Sequence, residues 1–174
     1  MSRIPPIPLE QLSPELANKL QSGLRNRMLS ATLPIQVWAH RSEQACKWLD
    51  LLASFQSNDL LEARLKELVR LKIASITQCK ACQVARKSDD VDEEDIACLG
   101  NQNERFTPSE QAALQYAELF ASDYMAIDNL LYDTLYQHFT TPQVVELSMY
   151  CALMLAGGRM TYVQQAFEDS ANES

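Results

Sequence analysis

Over residues 60–77 the apolar side chains recur at helical spacing. At about 100° per residue, Leu61, Leu65, Leu68, Val69, Ile73 and Ile76 share one face. A strand would send them to both faces, so the pattern predicts an amphipathic helix, with Asn58 or Asp59 as its cap. Lys72 falls inside the apolar arc, where it must snorkel or meet an acid. Glu67 sits at the edge of the stripe beside Ala74, facing solvent or a second helix. Start signals of the same kind recur along the chain. Ser13-Pro14-Glu15 offers a capping hydroxyl, a proline at the first helical position and an acid near the positive end. Helices are expected over about 15–30 and 34–56. Thr107-Pro108-Ser109-Glu110 is a capping box, followed at helical spacing by Ala113, Tyr116, Ala117 and Phe120. Asp128 is expected to cap a helix with Leu131, Leu135 and Phe139 on one side. Thr141-Pro142 opens a last helix whose stretch 144–156 is apolar apart from Glu146 and Ser148, which reads as a buried central helix. Gly157 and Gly158 would mark a kink or a close crossing. Strand alternation is nowhere visible, and four glycines in 174 residues suit few tight turns. The expected class is all-α.

With 47% apolar residues the chain can bury a core without disulfide staples, as a single compact unit. Residues 1–58 are expected to form an N-terminal arm with helices, and 59–170 the helical core. The arm, with Pro5, Pro6 and Pro8, should pack on another surface, such as a neighbouring subunit. Trp38 and Trp48 would anchor this region. A net charge of −8 makes nucleic acid and anionic membranes poor partners. Neither a signal peptide nor an apolar run of about 18 residues is seen, so a cytoplasmic protein with no membrane span is expected. In that reducing compartment five cysteines, one close pair and three singles, do not form a disulfide framework.

The pair is Cys79-Lys80-Ala81-Cys82, placed where the periodic helix ends at Thr77–Gln78 and a short helix would begin. Two intervening residues put both sulfurs on one side of a first turn, close enough to join reversibly. Lys80 and Arg86 add positive charge, which favours the thiolate that attacks a peroxide or a disulfide. Half a zinc site is the competing reading. Zinc wants four ligands, and Cys46, Cys98, Cys151, His40 and His138 are scattered, so no metal is expected. Two ordinary buried cysteines remain a further alternative. A thioredoxin-like use would need a strand before the motif, where a helix precedes it. His40 and His138 read as structural residues, Arg159 as a surface or interface ion pair, and the acidic run 89–95 as a solvated helix start capped by Asp92.

Glu67-Leu68-Val69-Arg70-Leu71-Lys72-Ile73-Ala74 followed by Cys79-x-x-Cys82, with the stretches 106–114 and 138–147, resembles the carboxymuconolactone decarboxylase-like superfamily, in its alkylhydroperoxidase D-like branch. The resemblance covers residues 60–167. It implies an all-α, alkylhydroperoxidase D-like helical bundle carrying an N-terminal arm, and a homo-oligomer, trimer or hexamer. It further implies a thiol-dependent hydroperoxide reductase, re-reduced by a dithiol or a thiol protein, with no cofactor. Catalytic roles would fall to Cys82 as the attacking thiol, Cys79 as the resolving one, and Glu67 in a proton relay. The family's relay histidine, four residues after the second cysteine, is replaced by Arg86, and a guanidinium does not titrate near neutral pH, so slow turnover is expected. Twelve residues of straight helix span about 18 Å. Glu67 therefore reaches the dithiol only if the chain reverses at Thr77–Gln78, and on that geometry Glu67 and Arg86 are expected to pair. Two other classes stay open: a carboxymuconolactone decarboxylase-type lyase, and a non-catalytic oligomeric scaffold of the same fold.

Overall fold

In the computed structural model residues 2–57, 60–100 and 105–167 are described, apart from the side chains of Ser57, Lys80 and Ala81. Among them the regular elements are all helical: α1 Pro14–Arg25, α2 Leu33–Trp38, α3 Ser42–Ser57, α4 Ala63–Ile76, α5 Lys80–Val84, α6 Glu93–Cys98, α7 Pro108–Ser122, α8 Asn129–Tyr136 and α9 Thr141–Gln164. The contacts divide the chain into two units, one of Met1–Asn58 with Arg159–Ser174 and one of Asp59–Gly158. The expected cap at Asn58 or Asp59 lies outside the described residues.

In the first unit, Ser13 Oγ accepts the Leu16 N–H with Pro14 at the first helical position, and α1 ends at Arg25. The stretch 34–56 is two helices, α2 and α3, parted by a 3₁₀ turn at Ala39–Arg41. At that turn His40 Nε2 meets the Pro5 carbonyl, and the first residue of α3, Ser42, bonds the N-cap hydroxyl of α1, Ser13. Leu16, Leu20, Met28, Ile35, Ala45, Cys46 and Leu49 form the unit's core. The arm packs on its own chain: the N–H of Ile7 donates to the Gln36 carbonyl, the N–H of Arg3 to the Gln164 carbonyl, and the Arg3 guanidinium to the Val163 carbonyl. Trp38 meets Trp48 edge to face at 5.8 Å and donates its indole N–H to Gln164.

In the second unit α4 is the buried centre, packed against α7 and leading into α5. Its whole run 65–74 is buried, polar positions included. The segment leading into α4 is held by Glu146 of α9, whose carboxylate accepts the N–H groups of Leu60 and Leu61. That accounts for the one acid in the apolar run. The capping boxes at Thr107/Glu110 and Asp92/Asp95 both form, and Asp128 Oδ1 caps α8. Lys72 reaches Glu118 (2.6 Å) and the Leu99 carbonyl. Asp95 is not solvated: it is 2% exposed and shared by Arg64 and Arg105, whose guanidinium N–H groups hold its carboxyl well below the usual carboxylate range.

One expectation for α9 needs correction, and another is decided between its two alternatives. The helix is not buried all round, since Val145 and Met149, one turn apart, are each 52% exposed. No break in the helix separates Gly157 from Gly158; a Cβ on Gly158 would lie 2.9 Å from Thr77 Oγ1, so the glycine marks a close crossing at the α4 terminus.

Candidate active site

The end of α4 is built to turn sharply. Gln78 takes a left-handed conformation (φ 54°), its N–H donates to the Ser75 carbonyl, and the Cys79 N–H donates back to the Ala74 carbonyl. This pair of bonds is a Schellman stop. The Cys79 carbonyl then accepts the Gln83 N–H, starting α5, while the Gln83 side chain returns to the Ala74 carbonyl. One cysteine thus closes the first helix and the other lies on the next. Their Cα atoms are 5.2 Å apart and the sulfurs are joined as a disulfide. Cys79 is buried (3% exposed) and Cys82 half-buried, so an approaching oxidant or thiol meets Cys82 first.

Beneath this turn lies a buried ion pair. Arg70 Nε donates to Glu67 Oε2 (2.7 Å) and Nη2 to Oε1 (2.8 Å), with the two side chains 8% and 1% exposed. The same guanidinium donates to the carbonyls of Cys82 and Ala85, groups left without partners where α5 runs out. Glu67 Oε1 also accepts the Lys87 backbone N–H (2.9 Å). Residues 82–87 therefore wrap around one carboxylate–guanidinium pair on α4.

The expected pairing of Glu67 with Arg86 does not occur. Because α5 ends at Val84, residue 86 is past the helix and does not continue its face. Arg86 donates to Glu93 (2.9 Å) and to the carbonyls of Gln83 and Val84. The buried partner of Glu67 is Arg70, which the sequence reading passed over. A signal was available: an arginine three residues after Glu67 on one helix is within pairing range, and neither side chain can be buried alone. Lys87 was missed too. Its ammonium is half-buried beside Arg70, and burial first, then that guanidinium, push its titration down to about 8. The side chain of Lys80 lies outside the described set. His138 is exposed just past α8.

The remaining thiols contrast with the pair. Burial pushes Cys151 up to about 12 and raises Cys46, which leaves both as unreactive core. Burial also raises the Tyr150 hydroxyl, which faces Glu67 and Arg70 from α9. Among the described residues no group of three or more His, Cys, Asp or Glu side chains is placed to hold a metal. Among the described residues no helix is long and apolar enough to cross a membrane.

No family model matches the sequence, and no curated relative does. Two solved structures share the architecture. The debrominase Bmp8, in its apo form, superposes with a TM-score of 0.79 at 14% identity, covering 95% of this chain and 91% of that one. An alkylhydroperoxidase AhpD core, a peroxidase-related protein from Ralstonia eutropha JMP134, gives 0.76 at 15% identity, covering 97% and 93%. The fold is therefore the all-α fold seen in the AhpD core and in Bmp8. This chain carries on it a Cys79–Cys82 disulfide seated over a buried Glu67–Arg70 pair.

Proposed function

We propose that the protein is a thiol-dependent hydroperoxide reductase whose working group is the Cys79–Cys82 dithiol. The observation that carries the reading is the joined pair itself, one sulfur buried and the other half-buried, in a turn fixed by α4. The Cys82 thiolate attacks one peroxide oxygen, the O–O bond breaks, and the alcohol leaves with a proton. Cys79 then displaces water from the resulting sulfenic acid and closes the disulfide. A small dithiol or a thiol protein returns two electrons and two protons. Glu67 positions the turn through Arg70. Arg86, held by Glu93 and by carbonyls, orients the segment and moves no proton, so turnover is slow. The fully buried thiols Cys46 and Cys151 take no part. The working form is a homo-oligomer, trimer or hexamer, cytoplasmic, with the apolar Val145 and Met149 covered by a second copy.

The test is hydroperoxide consumption with dithiothreitol as reductant. Wild type should turn over, Cys82→Ser should be inert, and Cys79→Ser, exposed to peroxide without reductant, should hold one sulfenic acid and form no internal disulfide. Undiminished consumption in the double serine variant would remove the dithiol as the working group and put the lyase reading ahead of it. Arg86→His should raise the rate; general acid–base help from histidine is worth about 10² to 10⁴ where it is fully engaged. A second substrate class is favoured by the debrominase of the same fold: two thiols becoming a disulfide can also replace a carbon–bromine bond by carbon–hydrogen, releasing bromide.

A further inference from the structure

The buried pair under the dithiol has a direction. Nε and Nη2 of Arg70 face the Glu67 carboxylate, at 2.7 and 2.8 Å, while Nη1 leaves the other side of the guanidinium for the Cys82 carbonyl. The cation therefore stands between the carboxylate and Cys82. A cysteine's carbonyl oxygen and Sγ are four bonds apart, which puts the guanidinium within about 7 Å of the Cys82 sulfur. This placement does not depend on the disulfide. The turn is held by the left-handed Gln78, by the Cys79 N–H on the Ala74 carbonyl and by the Gln83 side chain on that same carbonyl, and none of these uses a sulfur. The guanidinium is itself fixed by both Glu67 oxygens and by the Cys82 and Ala85 carbonyls. With the two side chains 8% and 1% exposed, little water screens the pair. The other polar groups around it are accounted for. Arg86 is turned toward Glu93, Lys87 is half-buried beside Arg70, and Tyr150, from α9, stays protonated through burial.

We propose that Arg70 is a positioning residue for the redox step: its guanidinium, aimed at Cys82 with Glu67 behind it, favours that sulfur as a thiolate and so makes the disulfide easier to reduce. The assignment rests on the redox reading above and adds a residue to it. A dithiol reductant breaks the sulfur–sulfur bond and becomes a disulfide itself, giving up two electrons and two protons. One proton stays on Cys79, whose burial disfavours an anion. The other passes to solvent, and Cys82 is left as a thiolate in the field of the guanidinium. The joined form carries no charge on sulfur, so the cation stabilises only the reduced form. Glu67 has the opposite effect on the sulfur but acts from further away, and the nearer charge wins.

The test is the pH profile of Cys82 alkylation by iodoacetamide in the reduced full-length protein, read by peptide mass. Arg70→Met should move the thiol titration up by about one unit, and Glu67→Gln should move it down by about as much. Both substitutions break the same ion pair, so a merely structural role would move the two profiles in one direction. The double variant Glu67→Gln/Arg70→Met strands no charge; it should shift upward by less than Arg70→Met, and it replaces that variant if the single fails to fold. Any contribution from Lys87 opposes these shifts, because losing Arg70 lets it charge more readily and losing the Glu67 charge does the reverse. Equilibrium with dithiothreitol at pH 8 should follow the same order, with the reduction constant changed by up to about tenfold, lower without Arg70 and higher without the Glu67 charge. Shifts of one sign for the two charge changes, or no shift in either, overturn the proposal. Peroxide takes no part in these measurements. A protein inert toward hydroperoxide that still gives opposite shifts would refute the reductase reading and leave the role of Arg70 standing.

Discussion

Replacing Arg70 by methionine is the sharpest test of how the site is held. The substitution keeps most of the side-chain volume and removes the charge that faces Glu67, a carboxylate whose side chain is 1% exposed. Leaving one member of a buried pair unpaired costs about 3–5 kcal/mol. The Cys82 carbonyl loses the Arg70 donor as well, and the Ala85 carbonyl keeps only Arg86, which adds to the cost to the extent that water cannot reach them. For a chain of this size each kcal/mol lowers the melting temperature by about 2–4 °C, so a fall of roughly 6–20 °C is expected. Glu67→Gln combined with Arg70→Met should recover part of the loss, because a neutral amide still accepts the Lys87 N–H without stranding a charge. Removing the guanidinium should also let the Lys87 titration return upward, since Arg70 is one of the groups that depress it. Melting by circular dichroism and pH titration of the variants read all three effects. A loss under about 1 kcal/mol for Arg70→Met, or a double variant as unstable as the single, would refute the claim that the pair anchors the turn.

Gly158→Ala should cost about 1–3 kcal/mol, because its Cβ would stand 2.9 Å from Thr77 Oγ1, itself bonded to the Ile73 carbonyl. Thermal melting checks this, and Thr77→Ala should relieve part of it. Asp95→Asn should lower stability by about 1–3 kcal/mol by weakening two arginine contacts on a buried acid. Since the folded carboxyl titrates below its unfolded value, its contribution is present at neutral pH and lost as pH falls; the variant should show a flatter acid limb in urea titrations. Lys87 gives a slope of the same sign at alkaline pH. Its folded titration near 8 lies below the ordinary 10.5, so the unfolded chain binds more protons between the two and stability rises with pH across that window. Lys87→Met should abolish this alkaline gain in urea midpoints of the oxidised protein, where the joined cysteines do not titrate.

Much of the architecture is legible in the sequence because it depends on local signals. The caps at Ser13, Asp92, Thr107 and Asp128 each form, since a side chain three residues from its target needs no tertiary help. The end of α4 at Ile76 follows from the periodicity, and the cysteine pair falls just past it. Other features are long-range and were not legible. The segment entering α4 borrows Glu146 from 86 residues away, a contact that nearby residues do not announce. The amphipathic stripe suggested one buried face on α4, whereas α7 and other elements of its unit bury the polar positions of 65–74 as well. That enclosure, invisible to periodicity, makes a charged residue on this helix informative.

The pairing error at Arg86 shows where the function is stored. Counting turns assumed that the helix after the dithiol continues, which would return residue 86 to the level of Glu67. Instead α5 stops at Val84, and its open carbonyls have to be satisfied. Arg70 satisfies two of them while neutralising Glu67, so one guanidinium terminates the helix that carries Cys82 and keeps a carboxylate under it. The early stop also brings Lys87, not residue 86, onto the Glu67 oxygen.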